Sequence, residues 1–265
     1  MRGNFMLGKL NNGLLVLLFA LLLAPLLPAV VMSFSADSYL SFPPSGWSTR
    51  WYAAVMTNDR FLAGLKLSLL LALGATILAL AFGIPASYAM VRSRIPFANT
   101  LVALFTAPLI VPSIILGLGL LLVFVRLKLN GSMTGLVLTH TMIVTPFVIR
   151  IIITGLKTMP ADIEAAAASL GARPFTVFRR ITLPSLTPSI SGAALLAFLI
   201  SFDEVAITLF LAGQSLATLP VAIYRYTTER TDPQIAALSV LLILISALLM
   251  FLLERVIGVA RAIGK

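Results

Sequence analysis

Residues 61–91 read FLAGLKLSLLLALGATILALAFGIPASYAMV, an apolar run that contains one charged side chain, Lys66. A helix that crosses a bilayer needs about 20 mostly apolar residues, and in lipid it must satisfy its own backbone hydrogen bonds. This run is long enough to do so. Its apolar character is continuous, whereas a transmembrane β-strand alternates between apolar and polar residues. The stretch therefore predicts a helical membrane protein.

Five other runs of the same kind extend this prediction to the whole chain. The six predicted spans are approximately residues 13–33, 61–91, 100–125, 135–155, 189–212 and 234–257. Basic residues precede the first run as in a signal peptide, but the run is long enough to span and no small-x-small cleavage site follows it, so we expect it to be retained. We predict one all-α integral membrane domain over residues 1–265, with the connection 156–188 outside the bilayer.

The composition excludes several function classes. Hydrophobic residues make up 60% of the chain and charged residues 11%, which is far from a soluble domain. Cysteine is absent and His140 is the single histidine, which argues against disulfides, thiolate metal sites and a Ser/His triad. The chain also has no G-x-x-x-x-G-K-[ST] phosphate loop. We therefore expect a non-enzymatic protein without a cofactor.

The net charge of +10 predicts orientation rather than nucleic-acid binding. With the N-terminus inside, six spans return the C-terminus to the inside, and most Lys and Arg residues then fall in inside segments, where they meet anionic lipid. Arg126 and Lys128 run against this rule. We predict a multi-pass protein with both termini cytoplasmic.

Prolines interrupt two of the predicted spans. Pro108 and Pro112 lie in the third span and Pro146 lies in the fourth. Such breaks are tolerated in lipid where neighbouring helices or a wet cavity satisfy the freed carbonyls. The pattern leaves two interpretations open, a packing kink and a role in a transport pathway.

Two acids lie inside the predicted fifth span. Asp203 and Glu204 each cost about 2.5 to 3.5 kcal/mol near a helix centre. Adjacent residues point about 100° apart on a helix, so each needs its own compensation, from a basic partner, water or a cationic substrate. With Ser201 they are candidate pathway residues, although a structural contact is the alternative. For His140 we favour a hydrogen bond between helices over a proton relay.

The long inside connection contains MPADIEAAAASLGARPFTVFRRITLP, residues 159–184. Pro160 suits a first helical turn, the following acids suit the positive end of the helix dipole, and Gly171 suits a left-handed stop. Pro174 then starts a second short helix that is expected to end with basic residues before Pro184. The pattern predicts a compact helix–turn–helix, which would either dock in a partner's groove or rest on lipid.

This segment resembles the EAA loop of permease subunits of ATP-driven (ABC) importers, type I, with the MetI-like fold. In that family the loop is a coupling helix docked into a cleft of a separate ATPase subunit. One departure is that the family's glutamate usually stands six residues before the glycine, at Ala165 here, whereas this chain has Glu164. The residues that the resemblance assigns to coupling are Asp162, Glu164, Ala165, Ala166, Ala167, Leu170, Gly171, Ala172, Phe175, Phe178 and Arg179.

Other segments resemble the polyamine-type (spermidine/putrescine) permeases of the same family. They are residues 42–48 with 51–52, 107–112, 146–148, 201–205 and 209–213. The resemblance implies an inner-membrane subunit that lines a pathway for a small cationic amine by alternating access. It also implies an ATPase dimer, a second homologous permease, expected as a heterodimer partner, and a periplasmic binding protein.

Two rival functions stay open at this point. An ion-coupled secondary transporter would use Asp203 and Glu204 as its ion site. A membrane scaffold without transport is the other. The capped cytoplasmic helix pair argues against both, because neither needs a docking surface there.

Overall fold

The computed structural model describes residues 14–93, 95–213 and 215–257, and these are largely helical. An isolated antiparallel bridge joins Ser35 and Trp47. The helices are α1 Leu14–Leu23, α2 Leu26–Ser33, α3 Arg50–Met56, α4 Asp59–Arg92, α5 Ala98–Thr106, α6 Ser113–Arg126, α7 Met133–Thr158, α8 Ala161–Ser169, α9 Pro174–Val177, α10 Leu183–Ser185, α11 Thr187–Phe202, α12 Ala206–Leu211, α13 Leu219–Glu229 and α14 Gln234–Ile257. A 3₁₀ turn occupies Ala107–Ile110 and a π turn occupies Phe178–Thr182.

The helices long and apolar enough to cross a membrane agree in part with the six predicted spans. Within the described residues, α4, α7 and the Gln234–Leu252 part of α14 qualify as 3 unbroken helices, and bent helix pairs raise the number to as many as 6. The first predicted span is such a pair, α1 and α2, bent by 47°, and its predicted first residue, Gly13, lies outside the described residues.

Two predicted features of the spans were wrong. Pro146 does not interrupt the fourth span, because α7 runs unbroken through it and Pro146 itself is buried in the packing of that helix. The run 189–212 is not one helix, because α11 ends at Phe202 and α12 begins at Ala206. A buried helix keeps its path through a proline because the packing around it compensates for the one lost hydrogen bond.

One compact unit comprises residues 62–222 with the described part of 246–265, and α7 contributes side chains to both of its buried clusters. A buried cluster joins α7 to α4 and α11 through side chains that include Ala75, Val148 and Ala197. The helices are in close contact, since a Cβ built on Gly83 would lie 2.8 Å from Val148 Cγ1. Small residues at crossings allow this approach, as they do in membrane bundles generally.

A second cluster in the same unit joins α6, α7 and α12. Phe124, Leu136 and Ile207 belong to it. Gly117 of α6 faces this contact, and a Cβ there would lie 2.9 Å from the Phe210 ring. The short α12 is therefore fixed by packing on two other helices, which matters for the break that precedes it.

The other compact unit comprises the described residues up to 61 together with 223–245, and it contains the predicted external loop. Asp37 organises this loop. It accepts hydrogen bonds from the hydroxyls of Ser41 and Ser45, from the backbone N–H of Ser45 and from the Ser35 hydroxyl. These bonds, those of Ser41 and Ser45 first, hold the pKa of Asp37 well below its usual range. Arg50 Nη2 donates to the Asp37 carbonyl oxygen at 2.5 Å, which closes the loop.

Candidate functional site

The predicted helix–turn–helix is present in the connection between α7 and α11. α8 begins after Pro160 and ends at Ser169, with Leu170 as its C-cap, and Gly171 has φ +82, the left-handed conformation that glycine adopts without strain. The N–H of Gly171 bonds to the Ala168 carbonyl and the N–H of Ala172 to the Ala167 carbonyl, which completes the helix end. Pro174 then begins α9. The local prediction is confirmed to this point.

The second helix is longer than predicted. It continues from Pro174 through the π turn to Ser185 instead of ending before Pro184. Pro184 is the second residue of α10, at the start of a helical turn, where a missing N–H is tolerated. The chain bends by 68° between Ser185 and Thr187, and this bend is where it returns to the membrane bundle.

The turn between these two helices carries two exposed apolar side chains. Leu170 is 90% exposed and Phe175 is 71% exposed, on either side of Gly171. The other residues assigned to coupling divide between the exposed face and the side that faces the protein. The exposed ones are Asp162, Ala165, Ala166, Gly171 and Arg179, and the half-buried ones are Glu164, Ala167, Ala172 and Phe178.

Glu164 is turned into the protein rather than towards a partner. Its Oε2 lies 2.8 Å from Arg92 Nε, at the end of α4. The Arg92 N–H does not point at that oxygen, so the contact is an ion pair without a hydrogen bond. The other carboxylate oxygen, Oε1, accepts a hydrogen bond from Thr182 Oγ1 at 2.5 Å. The acid that departs from the family's usual position therefore has partners within this chain.

The two acids of the fifth span lie in the break between α11 and α12, not on one helix. Glu204 Oε1 accepts the backbone N–H of Ile207 at 2.9 Å, which caps the start of α12. Asp203 is exposed, and its side chain has no hydrogen bond or ion pair among the residues that the structure describes. Since the helix ends at Phe202, the expected 100° separation on a helix does not apply.

His140 connects the two sides of this break. Its Nδ1 lies 2.8 Å from Ser201 Oγ in α11, and its Nε2 lies 3.1 Å from Thr208 Oγ1 in α12. All three side chains are buried. The expected hydrogen bond between helices is confirmed. Ser201 is occupied by this contact, and its role in a pathway stays a prediction.

The third span is broken at its prolines. Pro108 lies in the 3₁₀ turn and Pro112 immediately precedes α6, and the two halves meet at 104°. Each proline stands where a helix begins or tightens, as its missing N–H requires. The interruption is confirmed, whereas a pathway role for either proline stays a prediction.

Three residues with structural roles at these sites were not identified from the sequence. In the sequence, Arg92 is one of several basic residues that follow predicted spans on the inside, and no pattern marks Thr182 or Thr208. Their partners are 72, 18 and 68 positions away along the chain. A sequence pattern carries no signal for pairs this distant, although Arg92 as the first charge after a long apolar run marked the end of α4.

Comparison with known proteins identifies the class. Residues 79–259 match the family described as "Binding-protein-dependent transport system inner membrane component". The putrescine transport system permease protein PotI of Escherichia coli (strain K12) is 35% identical over 237 residues, 87% of this chain and 84% of the relative. The spermidine/putrescine transport system permease protein PotC of the same strain is 28% identical over 242 residues, 91% of each chain. A putative 2-aminoethylphosphonate transport system permease protein, PhnV of Salmonella typhimurium, is 31% identical over 266 residues, 100% of this chain and 97% of the relative.

Solved structures share the fold. A chain of a bacterial ABC transporter that imports the acidic polysaccharide alginate superposes with a TM-score of 0.69 at 16% identity, over 99% of this chain and 97% of that one. A chain of the inward-facing MetNI methionine ABC transporter gives a TM-score of 0.63 at 18% identity, over 77% of this chain and 96% of that one. The family and the relatives favour the importer over an ion-coupled transporter. The chain belongs to the family of binding-protein-dependent transport system inner membrane components, and it is a non-catalytic permease subunit of an ABC importer with the MetI-like fold.

Proposed function

We propose that this permease pairs with a second, homologous permease and forms with it the pathway for a small cationic amine. An ATPase dimer docks on the coupling segment, which we define as residues 156–188, and a periplasmic binding protein delivers the amine. Both termini are cytoplasmic in this proposal, with the basic inside segments against anionic lipid, and no nucleic acid is involved. Family membership supports the general arrangement, and the contacts below support the particular sites.

The observation that carries the docking proposal is the exposed apolar turn of the coupling segment. Leu170 and Phe175 bury little of their surface against this chain, and Gly171 between them leaves room for close approach. Burying a leucine or phenylalanine side chain contributes about 1.5–3 kcal/mol, so two of them form an effective anchor in a partner's groove. The exposed alanines of α8 extend the same surface.

Alternating access follows if this surface is gripped by a moving partner. ATP binding closes the ATPase dimer, and the coupling segment moves with the cleft in which it is held. α8 is joined to α7 and, through α9 and α10, to α11, two of the helices that share the buried cluster of the bundle. A displacement of the segment therefore shifts the balance between outward-open and inward-open packings of the bundle.

Removal of the anchor tests the docking. We expect the double variant Leu170→Ala with Phe175→Ala to lower co-purification of the ATPase and uptake by about tenfold or more, the equivalent of about 1.4 kcal/mol or more. Gly171→Asp should act in the same direction, because it places a charge on the surface and a side chain at positive φ. Phe97→Ala is the matched control, because Phe97 is 80% exposed in another predicted inside connection. Normal uptake and normal ATPase recovery in the double variant would exclude docking at this turn.

The unpartnered acid at the break in the fifth span supports an amine as substrate. Asp203 is exposed and has no internal counter-ion among the described residues, so a cation from outside the chain would compensate its charge. The named substrates of the relatives, putrescine, spermidine and 2-aminoethylphosphonate, all carry an amino group. Putrescine and spermidine carry only cationic groups, whereas 2-aminoethylphosphonate also carries an anionic phosphonate, so the two polyamines fit an unpaired carboxylate better.

Competition separates these substrates. The importer is reconstituted with its binding protein, and uptake of labelled putrescine is measured against an excess of spermidine, 2-aminoethylphosphonate or the uncharged diol 1,4-butanediol. We expect the polyamine to compete and the diol not to compete. Absence of putrescine uptake, or competition by the diol as strong as that by spermidine, would exclude the proposed substrate class.

The orientation has an independent test. A C-terminal reporter that is active only in the cytoplasm should be active, and one that is active only in the periplasm should be silent. The opposite result would reverse the proposed topology and place the coupling segment on the wrong side for an ATPase.

A further inference from the structure

Arg92 connects the end of α4 to the start of the coupling segment. Its Nη2 donates to the carbonyl oxygens of Leu156 at 3.1 Å and Met159 at 3.2 Å, at the end of α7. In a continuing helix the Leu156 carbonyl would accept from the N–H of residue 160, but that residue is Pro160, which has none. The guanidinium thus supplies the donor that the proline lacks. Its Nε also lies 2.8 Å from Oε2 of Glu164 in α8.

Glu164 is attached on two sides. One carboxylate oxygen pairs with Arg92, and the other accepts from Thr182, a fully buried residue in the π turn. α4 and the π turn also meet through aromatic rings. The ring centroids of Tyr88, one turn before Arg92 in α4, and Phe178 in the π turn lie 4.9 Å apart in an edge contact. α4, α8 and the π turn are therefore joined at one place.

This attachment differs from the rest of α8. Glu164 and Ala167 are half-buried, whereas the other side chains described between residues 162 and 169 are exposed. Asp162, in the same first turn, is exposed and has no ion pair among the described residues. The Arg92 and Glu164 side chains are 17% and 12% exposed, so water screens their attraction much less than that of a surface pair. Within the described residues 14–93, 95–213 and 215–257, the structure contains an ion pair between Arg92 and Glu164.

We infer that the Arg92–Glu164 pair is the linkage that makes α8 move with α4, so that a displacement of the docked coupling segment reaches the second span directly as well as through the backbone of α7. This inference rests on the docking proposed above. Arg92 and Glu164 are positioning residues in this role, since neither needs to touch the ATPase or the substrate. Without Arg92, the Leu156 carbonyl at the end of α7 would lose the donor that replaces the missing N–H of Pro160.

The test measures coupling in the assembled importer, with the ATPase, the partner permease and the binding protein present. Glu164→Gln keeps the side-chain shape and an acceptor for Thr182 but removes the charge that pairs with Arg92. We expect the ATP hydrolysed per amine imported to rise about fivefold or more, the lower end of typical coupling energies. Asp59→Asn is the matched control, because it removes an exposed acid from the first turn of α4, outside the coupling segment, and should leave the ratio unchanged.

Two further variants guard against a purely structural effect. Glu164→Asp retains the charge and should recover part of the coupling. Arg92→Lys retains the charge but loses the guanidinium N–H groups that also donate to the α7 carbonyls. If the pair only stabilised the fold, uptake and hydrolysis would fall together with the amount of assembled complex and their ratio would not change. That result, or a normal ratio in Glu164→Gln, would overturn the inference.

The outcome is separable from that of the docking proposal. If Leu170→Ala with Phe175→Ala abolishes ATPase binding while Glu164→Gln couples normally, docking stands and the linkage fails. If the double variant is also normal, docking itself fails. Loss of ATPase co-purification by Glu164→Gln at a normal permease level would count against the linkage, since the pair would then hold α8 in place for docking and would not transmit its movement.

Discussion

Two acidic side chains in this apolar chain have opposite surroundings. Glu164, in the coupling segment, has a cation and a hydroxyl from its own chain within reach of its carboxylate. Asp203, at the break in the fifth span, has neither among the described residues. Both charges are expensive to hold near lipid or protein interior, so each needs compensation.

The difference separates two uses of a charge. A charge that is satisfied internally fixes the relative position of the elements that carry it, and its removal should disturb structure and coupling. A charge left without an internal partner is available to a substrate or a partner subunit, and its removal should disturb recognition while leaving the fold intact. Each prediction below addresses one side of this comparison.

The largest effect on stability is expected from Arg92→Glu. The substitution replaces the ion pair by two facing carboxylates and leaves the Leu156 and Met159 carbonyls without their donor. We expect the free energy of unfolding to fall by about 3 kcal/mol, measured by thermal unfolding of the purified permease. Lys157→Glu, an equal charge change at an exposed position in the last turn of α7, is the control and should cost much less. Equal losses of unfolding free energy in the two variants would show that the change in net charge matters and that the Arg92–Glu164 ion pair does not.

Removal of the imidazole that spans the break should have the next largest effect. His140→Ala leaves the buried hydroxyls of Ser201 and Thr208 without this partner, and each unsatisfied group costs about 1–3 kcal/mol. We expect a loss of about 2 kcal/mol and reduced amine uptake, because the two sides of the break are no longer held together. Thr141→Ala is the control, since its hydroxyl bonds only to its own helix. A stable variant with normal uptake would contradict the bridging role.

Asp203→Asn should separate recognition from stability. Since this side chain has no partner within the described parts of the chain, the midpoint of thermal unfolding should stay unchanged. Uptake of putrescine should fall about tenfold, the equivalent of about 1.4 kcal/mol of lost attraction to a cation. A lowered unfolding temperature with normal uptake would reverse the interpretation and make Asp203 a structural residue.

A smaller effect is expected at the neighbouring acid. Glu204 accepts the N–H of Ile207, which an amide oxygen also accepts, so Glu204→Gln should unfold close to the wild type. Glu204→Ala loses the cap and should lower the free energy of unfolding by about 1 kcal/mol. If the Gln variant loses as much uptake as Asp203→Asn, the two acids share one role and the contrast between them fails.

The smallest effect is expected at Asp37, a carboxylate of the predicted external loop whose hydrogen bonds come from its own chain. Its hydrogen bonds lower the folded-state pKa, so the stabilisation they provide is fully present above the unfolded value near 4 and is lost only as the pH falls through the folded value. We expect no change in hydrogen exchange at the Ser45 amide between pH 8 and about 5, after correction for the intrinsic rate. A loss of protection within that range would mean that the loop depends on another group.

Much of the fold and of the candidate site could be predicted from short-range patterns. The apolar runs marked the membrane helices, Gly171 marked the left-handed end of α8, and the prolines 108 and 112 marked a broken third span. Pro146 did not mark a break in the fourth span, because the packing around α7 keeps the helix continuous at this proline. In the run 189–212, Asp203 and Glu204 were the only charged residues, and nothing else in the sequence predicted that the helix breaks there.

The sequence by itself determined that the chain is a helical membrane protein with an exposed, capped helix pair between two of its spans. These features follow from hydropathy, from proline's missing N–H and from glycine's freedom at positive φ, which are properties of single residues and their close neighbours. Only the tertiary structure decided that Glu164 pairs with Arg92, that His140 bridges Ser201 and Thr208, and that Asp203 has no partner among the residues that the structure describes. Those contacts join residues tens of positions apart, and which pairs meet depends on how the helices pack against one another.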